Sequence, residues 1–252
     1  MRTTGIPIYG LTPFFSSPGI RGNPGYLSSQ AALSQLMNNL ASDPTMNFHF
    51  RGHGSPNWIG NGLKDNDPAL LNIAYWDIKS LLDNLYPPSG PHRSHPYRFV
   101  FLDACETAND PNWSKAFGVL PRITSAELAQ RPLKVQAFVG WHGSPRAPNS
   151  TEELYDYALT YGVLYSAWMN GFTLDDCITF ASSQHPLPPP YDSITLNFPL
   201  GTRFYDNGFY WALPPWGSHW NTFRIQVMGY AGITRDGYQP GHDNSPYYYN
   251  GQ

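Results

Sequence analysis

The chain has 252 residues, enough for one large domain, with a formal net charge of −3 and no run of acidic or basic side chains. This charge distribution excludes a charged face for nucleic acid or an anionic membrane, and a hydrophobic content of 41% excludes a globally disordered chain. The two cysteines, with no Cys-x-x-Cys pair, exclude a disulfide framework and give no indication of a zinc site.

Targeting signals are not evident in this chain. The N-terminal sequence MRTTGIPIYGLTPFF lacks the apolar run of about 7–15 residues that a signal peptide needs. No apolar segment approaches the about 20 residues that span a bilayer. Charged residues make up only 13% of the chain, while proline and glycine number 25 and 23. This composition is commoner in extracytoplasmic proteins and favours a secreted or extracytoplasmic piece of a longer precursor.

The N-terminal part of the chain is predicted to contain two helices and a strand. Residues 1–27 form an irregular lead-in, rich in glycine, proline and serine. SSQAALSQLMNNLAS then has apolar residues on one helical face, with Ser28 or Ser29 as the N-cap. A short strand ends at GHGSP, and Asp67 and Pro68 predict the N-cap and first residue of a helix through NIAYWDIKSLLDNLY.

The middle of the chain alternates apolar strands with helices. The strand RFVFLD is followed by two short helices, of which TSAELAQR opens with a capping box formed by Thr124 and Glu127. KVQAFVGW is a second apolar strand. A long helix with a capping box at Ser150 and Glu153 ends at Gly171, and the helix TLDDCITFASSQ follows.

The predicted fold is an α/β three-layer α/β/α sandwich with a mostly parallel sheet over residues 1–190. Near-continuous apolar strands separated by helices indicate a parallel sheet covered on both faces. Residues 191–252 are expected to form a β-rich aromatic extension packed on the same domain. There, Asn207-Gly208 is typical of a hairpin turn, FRIQVMGY alternates like a half-exposed strand, and DGYQPGHDNSPYYYNGQ resembles a loose tail.

A thiol and two imidazoles follow three of the predicted strands. These strand ends read GHGSP at 52–56, DACET at 103–107 and WHGSP at 141–145. Ligands of open parallel sheets bind beyond the carboxyl ends of the strands. A cysteine needs an adjacent base to become a thiolate at neutral pH, because its free pKa is about 8.5, and histidine supplies one. His53, 52 residues before Cys105, is the better candidate base, and Gly54 lets its backbone N–H approach an oxyanion.

The motifs FHFRGHGS…W and FVFLDACETA, in this order, resemble the caspase-like superfamily of cysteine peptidases, also called clan CD. GHGS with Trp58 behind it is most similar to gingipains, and ACETA to CHAT domains, with the resemblance covering roughly residues 30–185. The resemblance implies a cysteine endopeptidase with Cys105 as nucleophile and His53 as general base and acid. It also implies Gly54 and Cys105 as the oxyanion donors. In caspases the histidine and cysteine are likewise about 50 residues apart.

Asp103 shares a strand face with Cys105 because the two residues are two apart. In metacaspases and clostripain an acid at this place binds the Arg or Lys before the scissile bond, so the resemblance implies protein or peptide substrates cut after Arg or Lys. Glu106, Trp141 and His142 are further expected substrate contacts. Legumains carry the same acid yet prefer Asn. Glu106-Thr107-Ala108 departs from the x-Ser-Gly that follows the cysteine in legumains and metacaspases. No cofactor is required, although relatives show calcium activation.

Other interpretations of these residues stay open. Taken alone, Cys105 could be a buried thiol at the end of a strand. Asp103 could accept hydrogen bonds from backbone amides, and His142 could be a pocket wall or an alternative base. A metal site of His53, His142 and His49 has no supporting acid pattern. The alternative functions are a catalytically silent caspase-like scaffold and a carbohydrate-binding module that uses aromatic side chains of the extension. Those are Tyr205, Phe209, Tyr210, Trp211, Trp216 and Trp220.

Overall fold

A computed structural model of the chain describes residues 47–60, 72–87, 97–130, 135–143, 161–184, 208–211, 220–245 and 247–248. Its strands are β1 (Asn47–Arg51), β2 (His53–Gly54), β3 (Trp58–Gly60), β4 (Asn72–Ala74), β5 (Phe99–Asp103), β6 (Ala137–His142), β7 (Gly208–Trp211) and β8 (Trp220–Gly229). Its helices are α1 (Tyr75–Leu85), α2 (Asn112–Ala116), α3 (Ser125–Gln130), α4 (161–169) and α5 (Leu174–Gln184). The predicted lead-in, the first predicted helix and the Ser150–Glu153 capping box lie outside these residues.

The main sheet has the strand order β1-β5-β6-β8-β7. β1, β5 and β6 are parallel, whereas β8 runs antiparallel to both of its neighbours. β5 lies between β1 and β6, and all five of its residues are buried, as the apolar run RFVFLD predicts. The predicted α/β class, with parallel strands and flanking helices, is confirmed.

Helices pack against the strands through two separate core clusters. Phe99, Phe101 and Trp141 pack with α4 and α5 in one cluster. Val100 and Leu102, the alternate residues of β5, pack with α1 and α2 in the other. We call the face of the sheet that packs on α4 and α5 the α4 face, and the face that packs on α1 and α2 the α1 face. Alternation along β5 therefore divides its side chains between the two.

A second, three-stranded antiparallel sheet has the order β2-β3-β4. β4 occupies Asn72–Ala74, and α1 begins only at Tyr75, where the Asp77 carboxylate accepts a hydrogen bond from the Ala74 N–H (3.1 Å). The expectation that Asp67 and Pro68 begin this helix is therefore wrong. Pairing with β3 holds residues 72–74 extended, a long-range contact that overrides local helix signals.

Other local predictions agree with the structure. The Thr124 N–H donates to Glu127 Oε2 (2.8 Å) and the Glu127 N–H to Thr124 Oγ1 (3.2 Å), so the predicted capping box is confirmed. Gly171 follows α4 with a φ of +83°, the left-handed conformation expected of a glycine that ends a helix. Cys177 is completely buried in α5, as predicted for a core residue.

The C-terminal region contributes a strand to the main sheet. Residues 225–230 of the segment FRIQVMGY are all buried, so the prediction of a half-exposed strand is wrong. Val227 lies in the cluster of the α4 face and Met228 in that of the α1 face, so side chains packed on both faces of the sheet cover this part of β8. β7 begins at Gly208 and pairs with β8; the preceding half of the predicted Asn207-Gly208 hairpin is outside the described residues.

The residues near the C-terminus pack against the body. The Tyr248 hydroxyl accepts a hydrogen bond from the Ile123 N–H (2.7 Å) and also contacts the carbonyl of Gly229. Ser245 Oγ donates to the Asp175 carboxylate at the start of α5 (2.5 Å). This arrangement is unlike a loose tail. Among the described helices, none combines the length and hydropathy of a membrane span.

Candidate active site

The parallel pairing of β1 and β5 aligns the two segments that carry His53 and Cys105. Arg51 is the register partner of Asp103, and the Gly52 N–H donates to the Asp103 carbonyl (3.3 Å). His53 and Cys105 each follow this aligned pair by two residues. The chain therefore leaves both strands at the same level of the sheet, with the histidine segment beside the cysteine segment.

Gly54 packs directly against the cysteine segment. A Cβ placed on Gly54 would lie 2.7 Å from the Ala104 Cβ and 3.0 Å from the carbonyl oxygen of Cys105. Such distances are too short for carbon contacts, so the close approach of the two backbones depends on glycine at this position. The structure thus brings together the two residues whose N–H groups were expected to bind an oxyanion.

His53 lies on a short strand that is anchored to the protein body by the following turn. Ser55 Oγ accepts hydrogen bonds from the N–H groups of Asn57 and Trp58 (3.1 Å each). The buried indole of Trp113 donates to the Ser55 carbonyl (3.2 Å). His53 itself is exposed, so its imidazole faces solvent at the end of an ordered hairpin.

Cys105 lies on a tight turn and not within β5. Glu106, the next residue, has a φ of +61°, the left-handed conformation that side-chain-bearing residues adopt rarely. The buried hydroxyl of Thr107 lies 3.1 Å from the Leu102 carbonyl and 2.9 Å from the Ala104 carbonyl, which closes the turn on itself. Cys105 is partly exposed, unlike Cys177. Its position therefore differs from that of an ordinary core thiol.

The end of β6 borders the cysteine turn on the side opposite His53. The Glu106 N–H donates to the Gly143 carbonyl (2.8 Å), and the Gly143 N–H donates to Asn109 Oδ1 (2.9 Å). These bonds place His142, a partly buried residue, beside the turn that carries Cys105. The segments that carry His53, Cys105 and His142 thus lie side by side at the carboxyl ends of β1, β5 and β6.

Asp103 lies in a buried polar cluster formed by side chains. Its Oδ1 accepts a hydrogen bond from Trp141 Nε1 (2.8 Å), its carboxylate is hydrogen bonded to Tyr161, and its Oδ2 lies 3.8 Å from Arg51 Nε. Burial raises the pKa of the Asp103 carboxyl, while the charge of Arg51 opposes that rise. Burial also raises the pKa of Tyr161, which therefore stays a neutral donor.

Sequence reasoning missed Arg51 and Tyr161 as members of this cluster. Arg51 stands two residues before His53, as Asp103 stands two residues before Cys105, and this shared offset was a signal available in the sequence. Tyr161 lies in α4, 58 residues after Asp103, and no local pattern connects the two. Its contribution follows only from the packing of α4 on the sheet.

His49 lies below the site and not at its surface. Its ring contacts Phe101, Tyr161 and Tyr165, with centroid distances of 5.3, 5.6 and 5.7 Å. Burial, assisted by the charge of Arg51, lowers the pKa of His49 to about 3. The His49 ring is therefore neutral at physiological pH. Within the described part of the chain, no three His, Cys, Asp or Glu side chains form a group that could hold a metal ion.

No protein-family model matches the chain, and no curated protein is significantly similar to it in sequence. The interpretation of the site therefore depends on its motifs and its geometry.

The aromatic side chains of the predicted carbohydrate-binding surface lie outside the part of the structure whose side chains are described: Tyr205, Phe209, Tyr210, Trp211, Trp216 and Trp220.

Proposed function

We propose that this chain is a caspase-like cysteine endopeptidase in which Cys105 is the nucleophile and His53 the general base and acid. The observation that carries the proposal is the register of β1 and β5, in which Arg51 opposes Asp103. It sets His53 and Cys105 at equal offsets beyond neighbouring strand ends. The contact of Gly54 with Ala104 and Cys105 supports the same arrangement.

The proposal includes the fold of that superfamily, a three-layer α/β/α sandwich with a β-rich C-terminal extension. The two core clusters on opposite faces of β5 support the layered arrangement. β8, which continues the sheet beyond β6 in the antiparallel direction, supports a C-terminal contribution to the same domain.

The proposed reaction has two steps. His53 takes the thiol proton, the Cys105 sulfur attacks the peptide carbonyl carbon, and the N–H groups of Gly54 and Cys105 stabilise the resulting oxyanion. The imidazolium then protonates the leaving amine, and the C–N bond breaks to give a thioester. In the second step His53 takes a proton from water and the hydroxide attacks the thioester carbon. The C–S bond then breaks, the carboxylic acid product leaves, and His53 returns the proton to the Cys105 sulfur.

The proposed substrates are proteins or peptides cut after Arg or Lys. Asp103 is the acid that holds the basic side chain, and the turn residue Glu106 and the β6 residues Trp141 and His142 border the same edge of the sheet. A carboxylate at this position can hold a guanidinium in a bidentate pair, which a neutral or acidic side chain cannot form.

The test is hydrolysis of fluorogenic peptides ending in Arg, Lys, Asn or Asp. The matched variants are Cys105→Ala and Cys177→Ala; the second leaves Cys105 as the chain's single thiol. We expect cleavage after Arg and Lys to persist in Cys177→Ala and to fall at least about a thousandfold in Cys105→Ala. Cleavage after Asn or Asp would contradict the specificity. No cleavage, with iodoacetamide labelling of Cys105 no faster than that of free cysteine, would favour the scaffold.

A further inference from the structure

We propose that Arg51 is a specificity-determining residue that occupies the cation position at Asp103 until the basic side chain of a substrate displaces it. This inference rests on the proposed function, since it concerns selection at the same site. It assigns a role to a side chain outside the His53–Cys105 pair.

The first observation is the difference in exposure within the ion pair. The Asp103 side chain is 6% exposed and the Arg51 side chain 31%. Because the two residues are register partners on parallel strands, their side chains lie on the same face of the sheet. Arg51 is therefore the member of the pair that has access to solvent and can move away without unpacking the core.

The second observation is the unequal quality of the contacts to the carboxylate. Trp141 Nε1 donates to Oδ1 at 2.8 Å, and Trp141 and Tyr161 are both buried. Arg51 Nε lies 3.8 Å from Oδ2, beyond ordinary hydrogen-bond length. Trp141 therefore lies at hydrogen-bond length from the carboxylate, and Arg51 Nε does not. A substrate guanidinium that makes a bidentate pair at about 2.7–2.9 Å can replace the cation and leave the neutral donors in place.

The exchange of cations affects basic and neutral side chains differently, and it limits how strongly the site prefers basic ones. Arg or Lys replaces the charge of Arg51, so the buried carboxylate is compensated both before and after binding. A neutral side chain cannot make this replacement and leaves Arg51 at Asp103. Displacement of Arg51 opposes the binding of basic substrates alone, so its removal should tighten their binding and leave neutral substrates unaffected.

The kinetic test compares wild type with Arg51→Gln at about pH 8, because burial raises the pKa of the Asp103 carboxyl and a higher pH favours its ionised form. Peptides with Arg, Lys or norleucine before the scissile bond are used. The control is Arg235→Gln: Arg235 is exposed and paired with Asp236. Its neighbour Thr234 accepts hydrogen bonds from Arg98, which precedes β5, so Arg235 lies at the end of β5 opposite Asp103.

In Arg51→Gln we expect KM for Arg and Lys peptides to fall roughly tenfold, equivalent to about 1.4 kcal/mol, with kcat unchanged. KM for the norleucine peptide should not change, and Arg235→Gln should behave as wild type. An unchanged or increased KM for Arg peptides would overturn the inference, as would an equal fall for norleucine.

A binding experiment tests the inference without catalysis. Calorimetry measures the affinity of agmatine, a small guanidinium compound, for Cys105→Ala and for Cys105→Ala/Arg51→Gln. Tighter binding by the double variant supports the exchange even if no peptide is cut, in which case only the proposed function fails. Equal or weaker binding overturns the exchange. If circular dichroism shows that Arg51→Gln is unfolded, Arg51→Met, which also removes the cation and keeps an unbranched side chain, is compared in its place with the same outcomes.

Discussion

The two cysteines show how the position of a residue determines its reactivity. Cys105 lies on a turn at the sheet edge and is partly exposed, whereas Cys177 is buried in α5. Burial raises the pKa of the Cys177 thiol. Only a thiolate reacts readily with iodoacetamide, so the two thiols are expected to differ widely in reaction rate.

Replacing His53 with Ala should slow the labelling of Cys105. An unassisted thiol with a pKa of about 8.5 is only about 1% thiolate at pH 6.5, so we expect a fall of at least about tenfold in the rate. Mass spectrometry of iodoacetamide-treated wild type and His53→Ala at that pH measures the change. His142→Ala is the control on the other side of the cysteine turn. Equal rates in wild type and His53→Ala would contradict the role of His53 as base.

His49 should make the protein less stable in acid. The pKa of His49 is lowered by burial to about 3, so the unfolded state binds a proton that the folded state rejects between about pH 6.5 and 3. The stability due to neutral His49 is present above pH 6.5 and is lost as the pH falls, by up to about 1.4 kcal/mol per pH unit.

The variant His49→Phe removes this titration and preserves a ring against Phe101, Tyr161 and Tyr165. Urea unfolding at pH 7 and 4.5 should show a smaller loss of unfolding free energy in the variant than in wild type. Parallel losses in both proteins would show that His49 does not cause the acid sensitivity.

At the scale of elements, the approach of β2 to the cysteine turn depends on Gly54. In Gly54→Ala the new methyl group meets the Ala104 Cβ and the Cys105 carbonyl, neither of which is the end of a flexible side chain. We expect a loss of about 1–3 kcal/mol in unfolding free energy, and a loss of peptidase activity from displacement of His53. Chemical denaturation and the fluorogenic assay measure the two effects.

The control for Gly54→Ala is Gly237→Ala. A Cβ on Gly237 would have Thr234 Oγ1 at 3.8 Å as its nearest neighbour, an ordinary contact. Its expected effect on stability is within about 0.5 kcal/mol. If the two variants lose similar stability and activity, the close packing of β2 on the cysteine turn is not what the site needs.

Sequence reasoning succeeded where one local signal determines an element. The continuous apolar run of β5 and the capping box of Thr124 and Glu127 are such signals. It failed where a distant strand decides the outcome. β3 keeps Asn72–Ala74 extended, so α1 begins later than predicted. Core clusters on both faces of β8 bury the side chains that its alternation predicted to be exposed.

In the candidate site, too, local signals were sufficient for some residues and not for others. His53, Cys105 and Asp103 were identified from motifs, because each follows or ends a predicted strand. Arg51 and Tyr161, the partners of Asp103, were not identified, because their positions depend on the register of β1 against β5 and on the packing of α4. A register is a relation between two segments, and the sequence of either segment alone does not contain it.

At the scale of the whole molecule, Tyr248 connects parts of the chain that are far apart in sequence. The Tyr248 hydroxyl is hydrogen bonded to the backbone of Ile123, before α3, and contacts the carbonyl of Gly229 at the end of β8. In Tyr248→Phe we expect a loss of about 1–3 kcal/mol in unfolding free energy, because buried backbone groups lose their partner. Thermal and urea unfolding measure it, with the exposed Tyr238→Phe as the control. Equal stability of the two variants would indicate that this segment does not hold the body together.

The position of β8 in the sheet also has a consequence for biosynthesis. β6 carries Trp141, whose indole donates a hydrogen bond to Asp103. β6 pairs with β5 on one side and with β8 on the other, and β8 is synthesised only when residues 220–229 are translated. At about 5–20 residues per second, a ribosome takes roughly 4–17 s to pass from residue 142 to residue 229. During that interval the β6 edge presents unpaired backbone groups on an apolar strand, the kind of edge that pairs with other chains. The nascent protein therefore has a period of several seconds in which the unpaired edge of β6 can associate with other chains.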